Sequence, residues 1–430
     1  MFQHPAPEHR ASSVSPTAIA TTWQLLLGMG ILMLGAGLQS TEISLRATLA
    51  GFPAPLTGAV MSCYYLGYML GTALAPRLVR RVGHIRVFAA MAALASASIL
   101  AQGLLIAPLP WAVLRGVSGL CFAAIYVVAE SWLNDRSSRT TRGSLLALYM
   151  AVLYIGLGGS QFLLIPTDPL TTTPFMLVAI LISLAIVPIV IAAQSAPEIA
   201  LPRRVSYREL YRDAPVGVVT VTIAGMVTSS VYSMGPVYAK LSGLDTSGVA
   251  TFMGVSVLAA VVMQYPVGRL SDRIDRRTVI AGMCSFATLS AAAAALIRSL
   301  PHEPLLLLTA LFSGSAFTLY SLGVSHVNDH LEPKQMVAAS SALLRMNGIG
   351  AALSPILVGG LIAAFGPKVY FAALAALTAV LALYGLWRKT RRSPLPASRK
   401  RPLVAAEPHA LTGRVAPSAG DTGRRESTPR

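Results

Sequence analysis

Apolar runs of about twenty residues recur along this chain, and a run of that length spans the hydrocarbon core of a bilayer. They fall at roughly 22–46, 55–76, 87–107, 111–133, 144–166 and 174–194, then at 215–241, 247–267, 278–298, 304–327, 337–362 and 367–387. Within lipid every backbone N–H and C=O needs an internal partner, which leaves helices or a closed barrel. The runs are continuous and do not alternate with period two, so helices are expected and a barrel is excluded. Composition agrees, with 12% of residues charged and 54% hydrophobic, where a soluble chain carries roughly 25% charged residues. The expected fold class is an all-α membrane protein with twelve transmembrane helices.

Six runs lie on each side of the polar stretch 195–214, and the two groups echo one another. IYVVAESWLND at 125–135 aligns with LYSLGVSHVND at 319–329, matching Tyr126 to Tyr320, Ser131 to Ser325 and Asp135 to Asp329. Glu130 matches Val324, so one acid is duplicated and its neighbour is unique. Two pseudo-symmetric six-helix bundles with an internal repeat describe a secondary-transporter architecture. The expected organisation is a tail at 1–21, a bundle at 22–194, a central loop at 195–214, a second bundle at 215–387 and a disordered basic tail at 388–430.

Lysine and arginine set the orientation, because cytoplasmic loops retain them. With both termini inside, twenty-eight of the 34 fall on the inner side, four on the outer side, and Arg115 and Arg345 within spans. Both termini are therefore expected in the cytoplasm and the protein in the inner (plasma) membrane. The net charge of +17 includes basic clusters just past the last span, where anionic inner-leaflet lipid attracts them. Lipid is the expected partner of the tail, and nucleic acid is not. The N-terminus lacks the basic segment and cleavage site of a signal peptide. Cys63, Cys121 and Cys284 are well separated inside apolar runs and show no metal or redox spacing.

Between the eighth and ninth runs the chain reads GRLSDRIDRR, 268–277. This closely resembles the loop signature G-x-x-x-D-R-x-G-R-R of the major facilitator superfamily. Gly268, Asp272, Arg273, Arg276 and Arg277 fit, and Asp275 stands at the second glycine. The matching loop of the first half, PRLVRRVGHIR at 76–86, keeps Arg81 and Gly83 but has Arg80 at the acid position. APRLVRRVGHIRVF, AESWLND and RGSLLALYM together look like the YcaD-like branch of that superfamily. The resemblance implies that Arg276 meets Asp329, and that Asp272 faces the start of the fifth span near 142–144. By repeat, Asp135 would pair with Arg86 or His84. These contacts would close the inner gate. Arg80 would face the wrong end of a helix dipole if it took the acid's place, so either it points to lipid phosphate or this half closes by different contacts.

An ionisable residue inside a span is a functional candidate by default. Arg115, in LRGVSGLCFAA, resembles the superfamily's fourth-helix motif R-x-x-Q-G-x-G, in which the arginine is linked to proton coupling or substrate charge. The alternative is an arginine snorkelling to a nearby span edge. Glu130 lies about 7.5 Å deeper than Asp135 along a helix and is either a proton-coupling acid or part of the gate network. Glu42 and Arg46 are spaced i, i+4 and form either a surface pair or part of an outer vestibule, with Gln39 one turn deeper. Arg345 is expected about 12 Å inside the eleventh span, which demands a partner or a watery cavity. Gln161, Tyr126, Tyr320 and Gln264 are weaker polar candidates, since single polar residues often bridge helices. Gly156, Gly158 and Gly159 suggest close helix packing, because the Gly-Pro step of the antiporter signature is missing.

The expected function is secondary active transport of a small neutral or amphipathic solute by alternating access, with proton coupling, as a monomer. No nucleotide-binding loop occurs, no cofactor is expected, and no nucleophile–base or metal constellation points to an enzyme. The alternative is a membrane sensor or scaffold that kept the fold and lost transport.

Overall fold

The structure is a computed structural model that describes residues 16–136, 142–191, 206–297 and 301–391. The first half contains α1 (Pro16–Leu49), α2 (Ala54–Val82), α3 (His84–Leu104), α4 (Pro108–Arg136), α5 (Arg142–Gly159), α6 (Thr173–Leu184) and α7 (Ile186–Ile191). A single 3-10 turn, Ser160–Leu164, extends α5. The short α8 (Tyr207–Asp213) precedes α9 (Pro215–Leu241), α10 (Thr246–Arg273), α11 (Arg276–Leu296), α12 (His302–Asn328), α13 (Pro333–Phe365) and α14 (Val369–Arg391).

Among the described residues, eleven helical segments are long and apolar enough to cross a membrane. The twelfth span is α2, whose 29 residues reach about 44 Å at 1.5 Å per residue. Its apolar character is diluted by Ser62, Tyr64, Tyr65 and Tyr68, and by Arg77, Arg80 and Arg81 at its end. It tolerates them because it packs between α4 and α13, so little of its length needs to satisfy lipid. The sixth span is broken at Ala185 into α6 and α7. Pro188, three residues on, has no N–H to give the preceding turn. The central stretch 195–214, expected as a polar loop, ends in α8, which buries Leu210.

Helix ends follow local chemistry. Asp245 caps α10 by accepting from the Gly248 N–H at 2.8 Å, and Glu332 with Gln335 forms a capping box on α13. Gly83 joins α2 to α3 at φ +89°, a left-handed conformation that glycine alone adopts without cost.

The repeat seen in sequence is visible in packing. α1 lies on α5 as α9 lies on α13, α2 on α4 as α10 on α12, and α3 on α6 as α11 on α14. Small residues allow these approaches. A Cβ at Gly67 would overlap the Gly116 carbonyl, and one at Gly119 the Tyr64 carbonyl, so α2 and α4 touch backbone to backbone.

Because the helices alternate in direction, the arginine-rich loops gather at one end of the bundle and the arginine-poor turns at the other. The halves meet through α2 with α13, α1 with α9 and α5 with α10. They are tightly joined toward the arginine-poor end: a Cβ at Gly58 would overlap the Pro355 carbonyl, and one at Gly359 would lie 2.5 Å from the Ala54 oxygen. Ser40 Oγ also donates to the Tyr232 carbonyl at 3.2 Å. Toward the arginine-rich end α5 and α10 part around a cleft of about 330 Å³ between Ala147, Met150 and Tyr154 on one side and Gln264, Gly268 and Asp272 on the other. The halves are thus joined at the arginine-poor end, and α5 and α10 part at the arginine-rich end.

Candidate solute cavity and gate contacts

Between the halves lies a cavity lined by Gln39 and Ser40 of α1, Tyr64 and Tyr65 of α2, and Tyr232 of α9. Arg115, Phe122 and Tyr126 of α4 complete the wall. Tyr64 lies ten residues into α2 and Tyr232 nine residues from the end of α9. At 1.5 Å per residue both are about 14–15 Å from the arginine-poor end, the middle of a hydrocarbon core about 30 Å thick. Arg115 is 3% exposed, which rules out the snorkelling alternative, and its guanidinium stands 4.5 Å over the Tyr64 ring. Gln39 Nε2 donates to Ser118 Oγ at 3.4 Å. The Tyr126 hydroxyl lies 3.3 Å from Met33 Sδ, leaving its ring on the cavity wall.

Tyr64, Tyr65, Tyr68 and Tyr232 escaped the sequence reading. For the three of α2 the signal was the run CYYLGYML, whose tyrosines at i, i+1 and i+4 occupy one face of a helix. Tyr68 leads on from this wall, with its ring 6.3 Å from that of Tyr126. Around Tyr68 stand Glu130, Tyr149 and Tyr320, all within electrostatic reach. Glu130 is buried and lies six residues, about 9 Å, from the arginine-rich end of α4. Tyr320 belongs to α12 and Tyr149 to α5, so one carboxyl group touches the fields of both halves.

Glu42 corrects the surface-pair reading. It is fully buried and neither carboxyl oxygen has a hydrogen-bond partner. Arg46 and Asp168 are the charges that act on it. Gln161, also buried, is consumed by structure: its Oε1 accepts from Thr41 at 2.5 Å and its Nε2 donates to Leu157 O at 3.1 Å and Ser160 Oγ at 3.2 Å. Gln264 Nε2 likewise donates to Ser321 Oγ at 2.7 Å, tying α10 to α12. Arg345 is half-buried, with its guanidinium 5.6 Å from the centre of the exposed Tyr207 ring. It thus faces α8 at the arginine-rich end, while its Nε is buried without a hydrogen-bond acceptor.

At that end Arg276, 2% exposed, donates from Nε to Asp329 Oδ2 at 2.7 Å, and its Nη2 stands 3.7 Å from Asp272 Oδ1. Asp272 lines the cleft opposite Ala147 and Met150 of α5. Arg273 and Arg81 are exposed, as is Arg80. His84 is buried beside Trp132 and its Nε2 lies 3.1 Å from Ser131 Oγ. The Asp135 side chain and those at 142–144 lie outside the described residues.

Asp275, the departure from the loop signature, caps α11. Its Oδ1 accepts from the Arg277 N–H at 2.9 Å, and Oδ2 accepts from Arg277 Nη2 at 2.9 Å. Burial pushes its carboxyl upward, but the Arg277 hydrogen bonds and charge outweigh this and hold it below the usual carboxylate range. A depressed folded-state value means the cap's stabilisation is fully present above the unfolded pKa near 4 and is lost as pH falls through the lower folded value. Asp275→Ala should cost about 0.5–2 kcal/mol near neutrality. Thermal melts in detergent from neutral to acid pH check this. The gap from wild type should close as pH drops, and a pH-independent gap would assign the loss to packing.

Residues 25–343 match the family profile of the Major Facilitator Superfamily. An "uncharacterized MFS-type transporter" of Enterobacter sp. (strain 638) is 30% identical over 379 residues, covering 87% of this chain and 97% of its own length. The protein named YcaD in Escherichia fergusonii is 28% identical over 378 residues, with the same coverage. Among solved structures, a point mutant of the nucleoside transporter NupG superposes with a TM-score of 0.76 at 13% identity, over 86% of this chain and all of its own. A bacterial homologue of the human lysosomal transporter Spinster, inward-facing and occupied, gives 0.70 at 14% identity, over 94% of this chain and all of its own. At such identities the likeness concerns the fold. The chain is a multi-pass membrane transporter that belongs to the major facilitator superfamily, in its YcaD-like branch.

Proposed function

We propose that the protein moves a small solute across the inner membrane by alternating access, with both termini in the cytoplasm and with protons as the coupling ion. The observation that carries this reading is the midplane cavity between halves joined at one end and parted at the other. Charge distribution supports taking the open, arginine-rich end as cytoplasmic. In that frame the structure corresponds to an inward-facing state, and the Arg276–Asp329 and Asp272 contacts belong to the inner gate. Arg388, Lys389 and Arg391 at the end of α14 begin the basic tail, suited to anionic lipid of the inner leaflet. The protein acts as a monomer in this reading.

Glu130 is the coupling group in this reading. A carboxyl group in a low-dielectric site takes up and releases a proton as its surroundings change. Tyr126 belongs to the cavity wall and Tyr68 lies beside it, so a change at the wall reaches Glu130 through these two rings. Separation of the halves changes the side chains around it, because Tyr320 belongs to the opposite half.

The test is a thermal-shift screen of purified protein against small solutes, followed by flux of the hits in proteoliposomes with an imposed pH gradient. Wild-type protein should concentrate solute at the expense of the gradient. Glu130→Gln should lose all concentrative uptake while exchanging solute between the two sides at equilibrium. Gradient-driven accumulation by Glu130→Gln would remove Glu130 from coupling and turn attention to Glu42. No flux of any stabilising solute would favour a sensor over a carrier.

A further inference from the structure

Among the described residues, Arg115 is a cation enclosed by the halves without a counter-ion. Its electrostatic neighbours are Tyr64, Tyr65 and Cys63, none of them an acid. Two other acids occupy spans near it in sequence or space, and both are engaged elsewhere. Glu130 lies fifteen residues along the same helix, about 22 Å away at 1.5 Å per residue. Glu42 answers to Arg46 and Asp168. The guanidinium Nε is buried with no acceptor, while one face of the group is occupied by Tyr64 at 4.5 Å.

A buried charge is retained where something pairs with it, and a guanidinium fork pairs best with a planar, two-oxygen anion. The whole cavity between Gln39, Arg115, Phe122 and Tyr232 holds about 40 Å³ of free space. A water needs roughly 10–15 Å³ on that measure, so the space admits about three water-sized groups, the heavy-atom count of one carboxylate. Around that same space the wall is aromatic, with Tyr65, Phe122 and Tyr126, rings that must part to admit an apolar group. A polyanion would need further cations, and no second cation lines the cavity among the described residues. A cationic solute would meet Arg115 with no acid to hold it.

From this geometry we propose that the cavity binds an amphipathic organic monoanion, its carboxylate on Arg115 and its apolar part against Tyr65, Phe122 and Tyr126. The proposal rests on the transport reading above and names the substrate class of the same cavity.

The test is direct binding to the purified full-length protein, by thermal shift and calorimetry at about pH 7.5, where simple carboxylic acids are ionised. The probes are benzoate, phenylacetate, 3-phenylpropionate and octanoate, each beside its neutral amide and its amine. At least one carboxylate should bind about 10- to 100-fold more tightly than its amide, the range expected for a hydrogen bond to a charged group. Arg115→Gln should abolish that preference, and Arg115→Lys should keep part of it, since the charge remains and the fork is lost. Tyr65→Ala should weaken carboxylate and amide alike, which separates the apolar wall from the charge. If Arg115→Gln does not fold, the Arg115→Lys ratio carries the test. Amides or amines that bind as well as the carboxylates overturn the proposal, as does a preference unchanged in Arg115→Lys and Arg115→Gln, or no carboxylate binding. Proteoliposome flux of an amide or amine in those cases would leave the transport reading standing, whereas a carboxylate that binds and never crosses would strike at transport alone.

Discussion

Replacing Gly58 with leucine is expected to hold the protein open at its arginine-poor end. Gly58 of α2 lies against the Pro355 carbonyl of α13, and Gly359 of α13 lies 2.5 Å, by its absent Cβ, from the Ala54 carbonyl of α2. Both contacts are backbone to backbone, so no side chain can rotate aside. The clash exists only while α2 and α13 touch at that end, and parting the halves removes it. Overpacking typically costs about 1–3 kcal/mol, and about 1.4 kcal/mol is tenfold in a population ratio. A shift of ten- to a hundredfold, or about that, toward the open arrangement follows. Distances between spin labels at Ala50→Cys and Phe365→Cys, with Cys63, Cys121 and Cys284 replaced, would read it. Both positions are exposed, one in the α1–α2 turn and one at the end of α13. Gly58→Leu and Gly359→Leu should each lengthen the distance. Gly282→Leu should not, because a Cβ at Gly282 meets nothing within 4 Å. An unchanged distribution in a folded Gly58→Leu protein would mean that the halves do not rock about this contact.

What the chain revealed of itself divides along a physical line. Lipid imposes apolar length on each span and arginine collects in one set of loops, so the spans and an arginine-rich end could be read from the sequence. The Arg276–Asp329 pair was legible because the loop signature marks Arg276 and the repeated Asn-Asp marks Asp329. The cavity was only half legible. Arg115 stood out because a charge in a span is rare, whereas Tyr64, Tyr65, Tyr68 and Tyr232 passed as apolar bulk. Only the assembled halves bring Tyr64, Tyr65 and Tyr232 around one space, with Tyr68 behind them. Glu42 and Arg46 share a helix face by spacing, but spacing does not say what covers that face. Packing from distant parts of the chain encloses Glu42, and local pattern cannot foresee such a closure. For Arg345 the spacing gave a position in the helix, but it could not foresee the Tyr207 ring of α8 beside it.

Asp329→Asn is expected to be the most destabilising of the side-chain changes considered for this fold. Asp329 sits at the C-terminal end of α12 and Arg276 at the first turn of α11. Each charge lies at the end of its helix where the dipole disfavours it, so each depends on the other. The two side chains are 3% and 2% exposed and meet at 2.7 Å. Removing one partner of a buried pair typically costs about 3–5 kcal/mol, because the remaining charge stays desolvated. Asp272, at 3.7 Å and 41% exposed, is too hydrated to replace Asp329, and Asp272→Asn should cost about 1 kcal/mol or less. The double change Arg276→Met with Asp329→Leu should recover most of the loss, since apolar groups of similar size avoid the desolvation penalty. Melting temperatures of the four proteins in one detergent form the test. If Asp329→Asn melts with Asp272→Asn, the pair is solvated in solution and contributes little. If the double change restores the melting temperature but abolishes solute flux, the pair is retained for switching between states, with stability a secondary consequence of its burial.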